Sequence, residues 1–173
     1  MVKRAPRKTP VRSALVETSE LLPSVMDGLA AVEAAHRDLF DHAIRSAFAD
    51  SLDLDSATKR GREEENRWDY LLGHEASGEV VAVEPHSAKD GQVSTVVKKQ
   101  GAARNHLRDH LRDGVKIRKW LWVSAGKVHF ADTEKTKLLL LQSGIQFAGT
   151  KITAKHLSST SSSANAPRRR GKR

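Results

Sequence analysis

A predicted β-hairpin within the stretch from Arg67 to Val97 constrains the fold more than any other feature of the sequence. Its first arm is residues 67–72 (RWDYLL), its second arm is residues 80–86 (VVAVEPH), and residues 73–79 form the loop between them. The loop has one glycine at its start and another near its end, which is a hairpin signal. Each arm carries one acidic residue, so the hairpin brings two acids together.

The register of this hairpin would place Asp69 opposite Glu84. A loop centred between Ala76 and Ser77 gives this pairing. Like charges opposite each other on paired strands are unfavourable, so the pair needs a cation, a proton or a basic side chain between the two acids. Alternation along the strand puts His86 on the same face as Glu84. The alternative is a polar face that meets water, with His86 beginning a loop.

Apolar residues predict a core on the other face of the hairpin and on a later strand. That face of the hairpin carries Trp68, Tyr70, Leu72, Val81, Val83 and Pro85. Residues 117–124 (IRKWLWVS) are predicted to form a strand in the middle of a sheet. We expect Trp120 and Trp122 to belong to the core, because large aromatic residues are usually buried. The alternative is that these rings stack on nucleic-acid bases.

The N-terminal part of the chain has a helical pattern. From about Ser13 to Leu52, apolar residues recur mostly at three- to five-residue steps. Pro23 and Gly28 are expected to mark a helix start and an irregularity. We therefore predict a helical N-terminal part.

The segment after Trp122 predicts a turn, a short strand and a helix. Residues 126–130 (GKVHF) suggest the turn and the strand. Asp132 is a suitable N-cap for a helix through residues 138–141, and Gly144 is a suitable stop.

Composition limits the class of protein. A chain of 173 residues suffices for one domain with a core. It contains no cysteine, which excludes disulfides and thiolate metal sites. No apolar run is long enough to cross a membrane, and the N-terminus lacks the apolar stretch of a signal peptide. We expect a soluble, cytoplasmic protein that does not contact membranes.

The net charge of +9 is concentrated at the two ends of the chain. Residues 1–12 carry five basic residues and residues 154–173 carry six, with no acid in either segment. Their composition predicts a disordered basic arm (1–12) and a disordered Ser/Arg-rich tail (154–173), which leaves a single α+β domain at 13–153. Such arms bind phosphate backbones without reading sequence, or serve as solubilising tails or a localisation signal.

Residues 94–112 are predicted to form a helix with a basic side. Arginines spaced by four make one stripe, and two lysines precede them: Arg104, Arg108, Arg112, Lys98 and Lys99. A basic side next to a carboxylate site is what a phosphate-bearing substrate favours, so we predict nucleic-acid contacts for Lys98 and the three arginines. His106, His110 and Asp113 could chelate a metal, although solvated side chains are the simpler account.

The predicted order is helices, hairpin, helix, one or two strands and helix, which gives a small mixed sheet flanked by helices. With an acid on one hairpin strand and Glu-x-His on the next, this order resembles the restriction-endonuclease-like fold of the PD-(D/E)XK superfamily. In that family an Asp and the Glu of a Glu-x-Lys bind one or two divalent cations, usually magnesium, and the Lys helps to orient the attacking water. The resemblance implies that Asp69 and Glu84 bind the metal, with His86 in the lysine position.

The sequence departs from the family motif at three positions. Trp68 precedes Asp69 where the motif has proline, and His86 replaces the lysine. Pro85 lies inside the Glu-x-Lys equivalent, which suggests that the strand ends or lies at an edge there. His86 could still bind a metal or accept a proton from water. Lys98 or Lys99 could supply the missing positive charge, because the superfamily tolerates a lysine relocated to the following helix.

These observations predict magnesium-dependent hydrolysis of nucleic-acid phosphodiesters. Asp69 and Glu84 would hold Mg²⁺, and His86 and Lys99 would be catalytic. One alternative is a non-catalytic nucleic-acid-binding protein with an inactive nuclease-like site. Another is a protein-interaction module that docks through its N-terminal part.

Overall fold

A six-stranded mixed sheet organises the part of the chain that the computed structural model describes, which is residues 7–89, 91–129 and 133–159. The strands lie in chain order. Neighbouring strands among the first four run antiparallel to each other, whereas each of the last two runs parallel to the strand before it. The strands are β1 (Met26–Asp27), β2 (Phe48–Asp53), β3 (Tyr70–His74), β4 (Val80–Lys89), β5 (Lys119–His129) and β6 (Ile145–Phe147).

The helices of the described residues are short except for the two that connect the parallel strands. The five α-helices of the described residues are α1 (Pro10–Ala14), α2 (Ala34–Arg37), α3 (Leu54–Thr58), α4 (Gln92–Leu107) and α5 (Glu134–Ser143). Parallel neighbours need a crossover connection, which α4 provides between β4 and β5 and α5 between β5 and β6. None of the helices in the described ranges is long and apolar enough to cross a lipid bilayer. The predicted α+β class with a mixed sheet flanked by helices is confirmed.

Both faces of the sheet are buried. On the first face, Trp120 and Trp122 pack with residues of α1 and α4, such as Val11 and Val96. On the second face, Leu121 and its neighbours pack against the N-terminal segment and the end of the described chain. Central strands covered on both faces read as continuous apolar runs, which explains the sequence of β5. The prediction that Trp120 and Trp122 are core residues is confirmed.

The N-terminal part is less helical than predicted. Between Ser13 and Leu52 the chain forms a few short helical segments, and β1 and β2 interrupt them. Gly28 takes a positive φ of 57°, which ends any helix there. Three- to five-residue spacing of apolar residues also fits successive tight turns against one sheet face, so the pattern was compatible with both structures.

Residues 7–12 and 154–159, which the sequence predicted to be disordered, belong to the folded part. Val11 in α1 is buried. The backbone N–H groups of Val11 and Arg12 donate to the carboxylate of buried Asp50, which therefore caps α1 from a distant strand. His156, in a 3-10 turn at Ala154–His156, is also buried. The remainder of both predicted arms lies outside the described residues.

The C-terminal elements follow the prediction in part. Thr133 caps α5 by accepting from the N–H of Thr136, and Gly144 ends it with a φ of 70°. The predicted N-cap, Asp132, lies outside the described residues. Instead of a turn and a second short strand after Gly126, β5 continues to His129.

Candidate functional site

The hairpin has the predicted register. Tyr70 pairs with Val83 and Leu71 with Ala82 across β3 and β4. The next residues outward on each side are Asp69 and Glu84, and the backbone N–H of Asp69 donates to Glu84 Oε2 at 3.0 Å. The prediction that the two acids lie opposite each other is therefore confirmed, and their closeness requires a compensating charge.

The face that carries the two acids is not open to water, contrary to one expectation from the sequence. It belongs to the first buried face of the sheet, which α4 covers, and the side chain of Glu84 has no exposed surface. Trp68 was predicted to lie on the other face. It precedes β3, where strict alternation no longer applies, and its ring packs edge-on against Trp120 at 5.0 Å between centroids.

Lys99 provides the compensating charge from the first half of α4. Its Nζ donates to Asp69 Oδ1 at 3.2 Å and also to Glu84 Oε1. The adjacent Lys98 is exposed, because one residue along a helix turns the side chain by about 100°. The structure thus brings Lys99, and not Lys98, to the two predicted metal ligands.

His86 completes what we call the carboxylate cluster, which consists of Asp69, Glu84, His86 and Lys99. Its Nδ1 is 3.5 Å from Glu84 Oε1, and its Nε2 is 2.7 Å from the side-chain oxygen of Gln92. Both ring nitrogens therefore face acceptors, and only the charged ring can donate on both sides. The hydrogen bond to Glu84 raises the pKa of His86 despite partial burial. This geometry favours a positive charge at His86 over the expected metal ligand or proton acceptor.

The sequence suggested that the strand ends or lies at an edge at Pro85, and the strand does not end there. β4 continues to Lys89 and pairs Pro85 with Val123 of β5. On the other side, the described pairing of β4 with β3 ends at Val83. Pro85 therefore lies where β4 has a strand partner on one side only, and its missing N–H is tolerated there. His86 consequently sits within a strand and not at the start of a loop.

Burial and neighbouring charges have opposing effects on the pKa values of the cluster. Burial, together with the charge of Glu84, raises the pKa of Asp69 to about 7, although Lys99 acts in the opposite direction. Burial lowers the pKa of Lys99, but the attraction of the two carboxylates outweighs it and the net shift is upward. Asp69 therefore changes its protonation near neutral pH, while Lys99 stays charged.

The donor set suits a hard divalent cation. Mg²⁺ in proteins is commonly held by one or two carboxylates and keeps several waters, which is what Asp69 and Glu84 can offer. Among the residues that the structure describes, no group of three or more His, Cys, Asp and Glu side chains could hold a metal ion. Since Lys99 Nζ contacts both acids, binding requires this side chain to turn away from them.

The predicted arginine stripe is interrupted and faces away from the cluster. α4 ends at Leu107, so Arg112 lies beyond the helix, where it approaches Glu17 at 3.9 Å. Arg104 is about 140° around the helix from Lys99, and Arg108 is about 180° around from it. The expectation that the basic stripe adjoins the carboxylate site is wrong, because the stripe and Lys99 occupy different sides of α4.

The two histidines of the alternative metal site have other hydrogen-bond partners. His106 Nδ1 accepts from Arg62 at 2.6 Å, and His110 Nδ1 pairs with the hydroxyl of Ser19 at 2.9 Å. Their rings lie 5.0 Å apart, whereas Asp113 is exposed beyond the helix. The two histidines are thus held by neighbouring polar groups.

Sequence reasoning missed the role of Gln92, which contacts His86 through the first turn of α4. A glutamine six residues after a histidine has no distinctive pattern, so only the packing of α4 on β4 identifies it. A comparison of this chain with known protein families, with curated proteins and with solved structures found no match in any of the three.

Proposed function

We propose that this protein is a magnesium-dependent phosphodiesterase that acts on nucleic acid. The observation that carries the proposal is the convergence of Asp69 and Glu84, from neighbouring strands, on Lys99 of α4. Two carboxylates and a lysine are the residue types that the resemblance to the restriction-endonuclease-like superfamily implies for such a site. Here the lysine comes from the helix after the motif.

Asp69 and Glu84 would hold the metal through oxygen. Bound Mg²⁺ supplies a more acidic water and neutralises negative charge on the phosphate. Glu84 is oriented for this role by the N–H of Asp69, which fixes one of its oxygens. Asp69 is the more exposed of the two acids, with 21% of its side chain accessible, so it would form the solvent side of the metal site.

Lys99 and His86 would supply positive charge at the same place. When Lys99 leaves the carboxylates it remains attached to α4 beside them, where its ammonium group can donate to water or to a phosphate oxygen. His86, held by Gln92, keeps its charge next to Glu84. The exposed neighbour Lys98 would contact the phosphate backbone without sequence preference.

The second candidate function is nucleic-acid binding without turnover. The observation in its favour is that the cluster is already balanced, since Lys99 and His86 oppose the charges of Asp69 and Glu84 without a metal. In that case the four side chains form a buried ion-pair network that orders the packing of α4 on the sheet.

Metal-dependent cleavage separates the two functions. We expect the purified protein to nick nucleic acid with Mg²⁺ or Mn²⁺ and not with EDTA. Asp69→Asn and Glu84→Gln should each lower the rate by about a hundredfold or more, as expected when a group that stabilises developing charge is removed.

The matched control is Glu75→Gln, which removes an exposed acid from the loop of the same hairpin. It should cleave at the rate of the unchanged protein. A contaminating nuclease would give the same rate in all of these preparations, including Asp69→Asn and Glu84→Gln. Salt-sensitive binding with no cleavage in any metal would establish the second candidate and eliminate the first.

A further inference from the structure

A groove on the other side of α4 combines positive charge with an apolar floor. Its volume is about 330 Å³. Its basic lining residues come from two segments, which we call its basic banks: Arg104 and Arg108 at the end of α4, and Lys116 and Arg118 before β5. None of the described residues that line it is acidic. We call this feature the α4 groove; its charge selects for anions.

The floor of the α4 groove is apolar and recessed. Leu107, Leu111, Ile117 and Trp120 contribute to it. Leu107 and Trp120 are also core residues, so the floor is fixed by the packing of α4 against the sheet. A ligand that fills the groove would therefore have both negative charge and an apolar surface.

Arg104 has a defined position at the edge of this groove. Its guanidinium lies over the ring of Trp120, with 5.3 Å from the guanidinium carbon to the ring centroid. The same group approaches the carbonyl oxygen of Ser143 at the end of α5, at 3.5 Å. Arg104 as a whole residue is exposed to solvent. A guanidinium plane held on an aromatic ring is a surface on which a nucleobase can stack.

We infer that the α4 groove binds single-stranded nucleic acid, with phosphates on the two basic banks and an unpaired base on Arg104. A duplex keeps its base faces stacked inside and gains nothing from the floor, whereas an unpaired base offers a free face. An acidic peptide pairs with the basic residues but has no flat ring system for Arg104. A lipid surface requires protruding apolar residues, and here they lie at the bottom of the groove.

This binding site is separate from the carboxylate cluster and does not depend on hydrolysis. Lys99 points to the two acids of the hairpin, while Arg104 and Arg108 lie about 140° and 180° around α4 from it. Binding can therefore be measured in EDTA, where no metal-dependent cleavage occurs, and its result is independent of the test of the proposed function.

The experiment is fluorescence anisotropy of labelled single-stranded and duplex oligonucleotides with the full chain in EDTA, at several salt concentrations. Arg108→Gln with Lys116→Gln should weaken single-strand binding several-fold and lower the slope of log affinity against log salt by about 1.4. Both residues are exposed, so the fold is retained. Lys59→Gln with Arg60→Gln removes the same charge from exposed residues next to α3, and should leave the slope unchanged.

Arg104→Lys tests the stacking step, because it keeps the charge and removes the planar group. It should lower single-strand affinity about fivefold or more while duplex affinity stays the same. If the double substitution in the groove and the double substitution next to α3 change the salt slope equally, the α4 groove is not the binding site. Duplex binding as tight as single-strand binding, with no effect of Arg104→Lys, would overturn the preference. Displacement by polyglutamate as effective as by unlabelled oligonucleotide would assign the groove to acidic peptides instead.

Discussion

Among single residues, the buried charge of Glu84 decides what its neighbours must be. A carboxylate with no exposed surface is tolerated only when it is paired and hydrogen-bonded. Lys99, His86 and the N–H of Asp69 together meet that requirement. The sequence predicted the need for a positive charge between the two acids, but it could not choose between a metal ion and a lysine more than a dozen residues away.

Removal of the positive charge at Lys99 should strongly destabilise the fold. Lys99→Met keeps the length of the side chain and leaves buried Glu84 without its lysine partner, so we expect a loss of about 3 kcal/mol in the free energy of unfolding. Urea denaturation measures this loss. Lys98→Met, on the exposed neighbour, should change stability by less than about 0.5 kcal/mol.

A double variant distinguishes an ion pair from simple packing. If the cost comes from an unpaired charge, Glu84→Gln combined with Lys99→Met should be more stable than the sum of the two single changes predicts. Additive effects would mean that Lys99 stabilises the fold through contacts other than its charge.

Asp69 should make stability depend on pH. Its pKa is raised from 3.8 to about 7 in the folded protein, so folding favours the protonated form. The stability that this group contributes is complete below the unfolded value near pH 4 and is lost as the pH rises through about 7. The difference in unfolding free energy between the native chain and Asp69→Asn should therefore decline from pH 4 to pH 7, as measured by urea denaturation. A constant difference over this range would contradict the raised pKa.

Among the secondary-structure elements, the hairpin was predictable and the N-terminal part was not. The alternation of apolar residues and the turn at Gly78, which has a φ of 69°, indicate the register of Asp69 with Glu84. The other glycine of the predicted loop, Gly73, lies within β3. In contrast, α1 depends on Asp50 of β2, which accepts from the N–H groups of Val11 and Arg12. A cap that comes from a distant strand leaves no local pattern, so residues 7–12 read as part of a disordered arm.

Gly73 should be essential for this contact between α1, β2 and β3. A Cβ at Gly73 would overlap Asp50 Oδ1 and would lie 2.9 Å from a carbon of Pro10. We expect Gly73→Ala to cost about 3 kcal/mol, because it combines overpacking with loss of the cap. Thermal or urea denaturation measures this change.

Gly101 provides a matched substitution with the opposite sign. It lies inside α4, and a Cβ at this position would have no atom within 4 Å, so an alanine side chain there meets open space. Gly101→Ala should stabilise the protein by about 1 kcal/mol, because alanine favours the helix. If both alanine variants lose similar stability, close approach to Asp50 is not the reason for glycine at 73.

For the molecule as a whole, the sequence predicted the α+β fold class and the pairing of Asp69 with Glu84 better than the placement of the basic residues. Apolar runs and turn signals indicated an α+β fold, since they report local geometry. The stripe of Arg104, Arg108 and Arg112 required both the true end of α4 and its rotation on the sheet, which depend on tertiary packing. For this reason the two positively charged sides of α4 were predicted as one surface, although Lys99 and the arginines face different parts of the molecule.

The proposed function requires that Asp69 and Glu84 together bind a divalent cation. Calorimetric titration of the full chain with Mn²⁺, in the absence of nucleic acid, measures this binding without turnover, and Glu75→Gln is the control for an acid on the same hairpin. We predict one Mn²⁺ bound per chain, retained in Glu75→Gln and lost in Glu84→Gln. Binding of the same strength in Glu84→Gln, or none in the native chain, would contradict a metal site at these two acids.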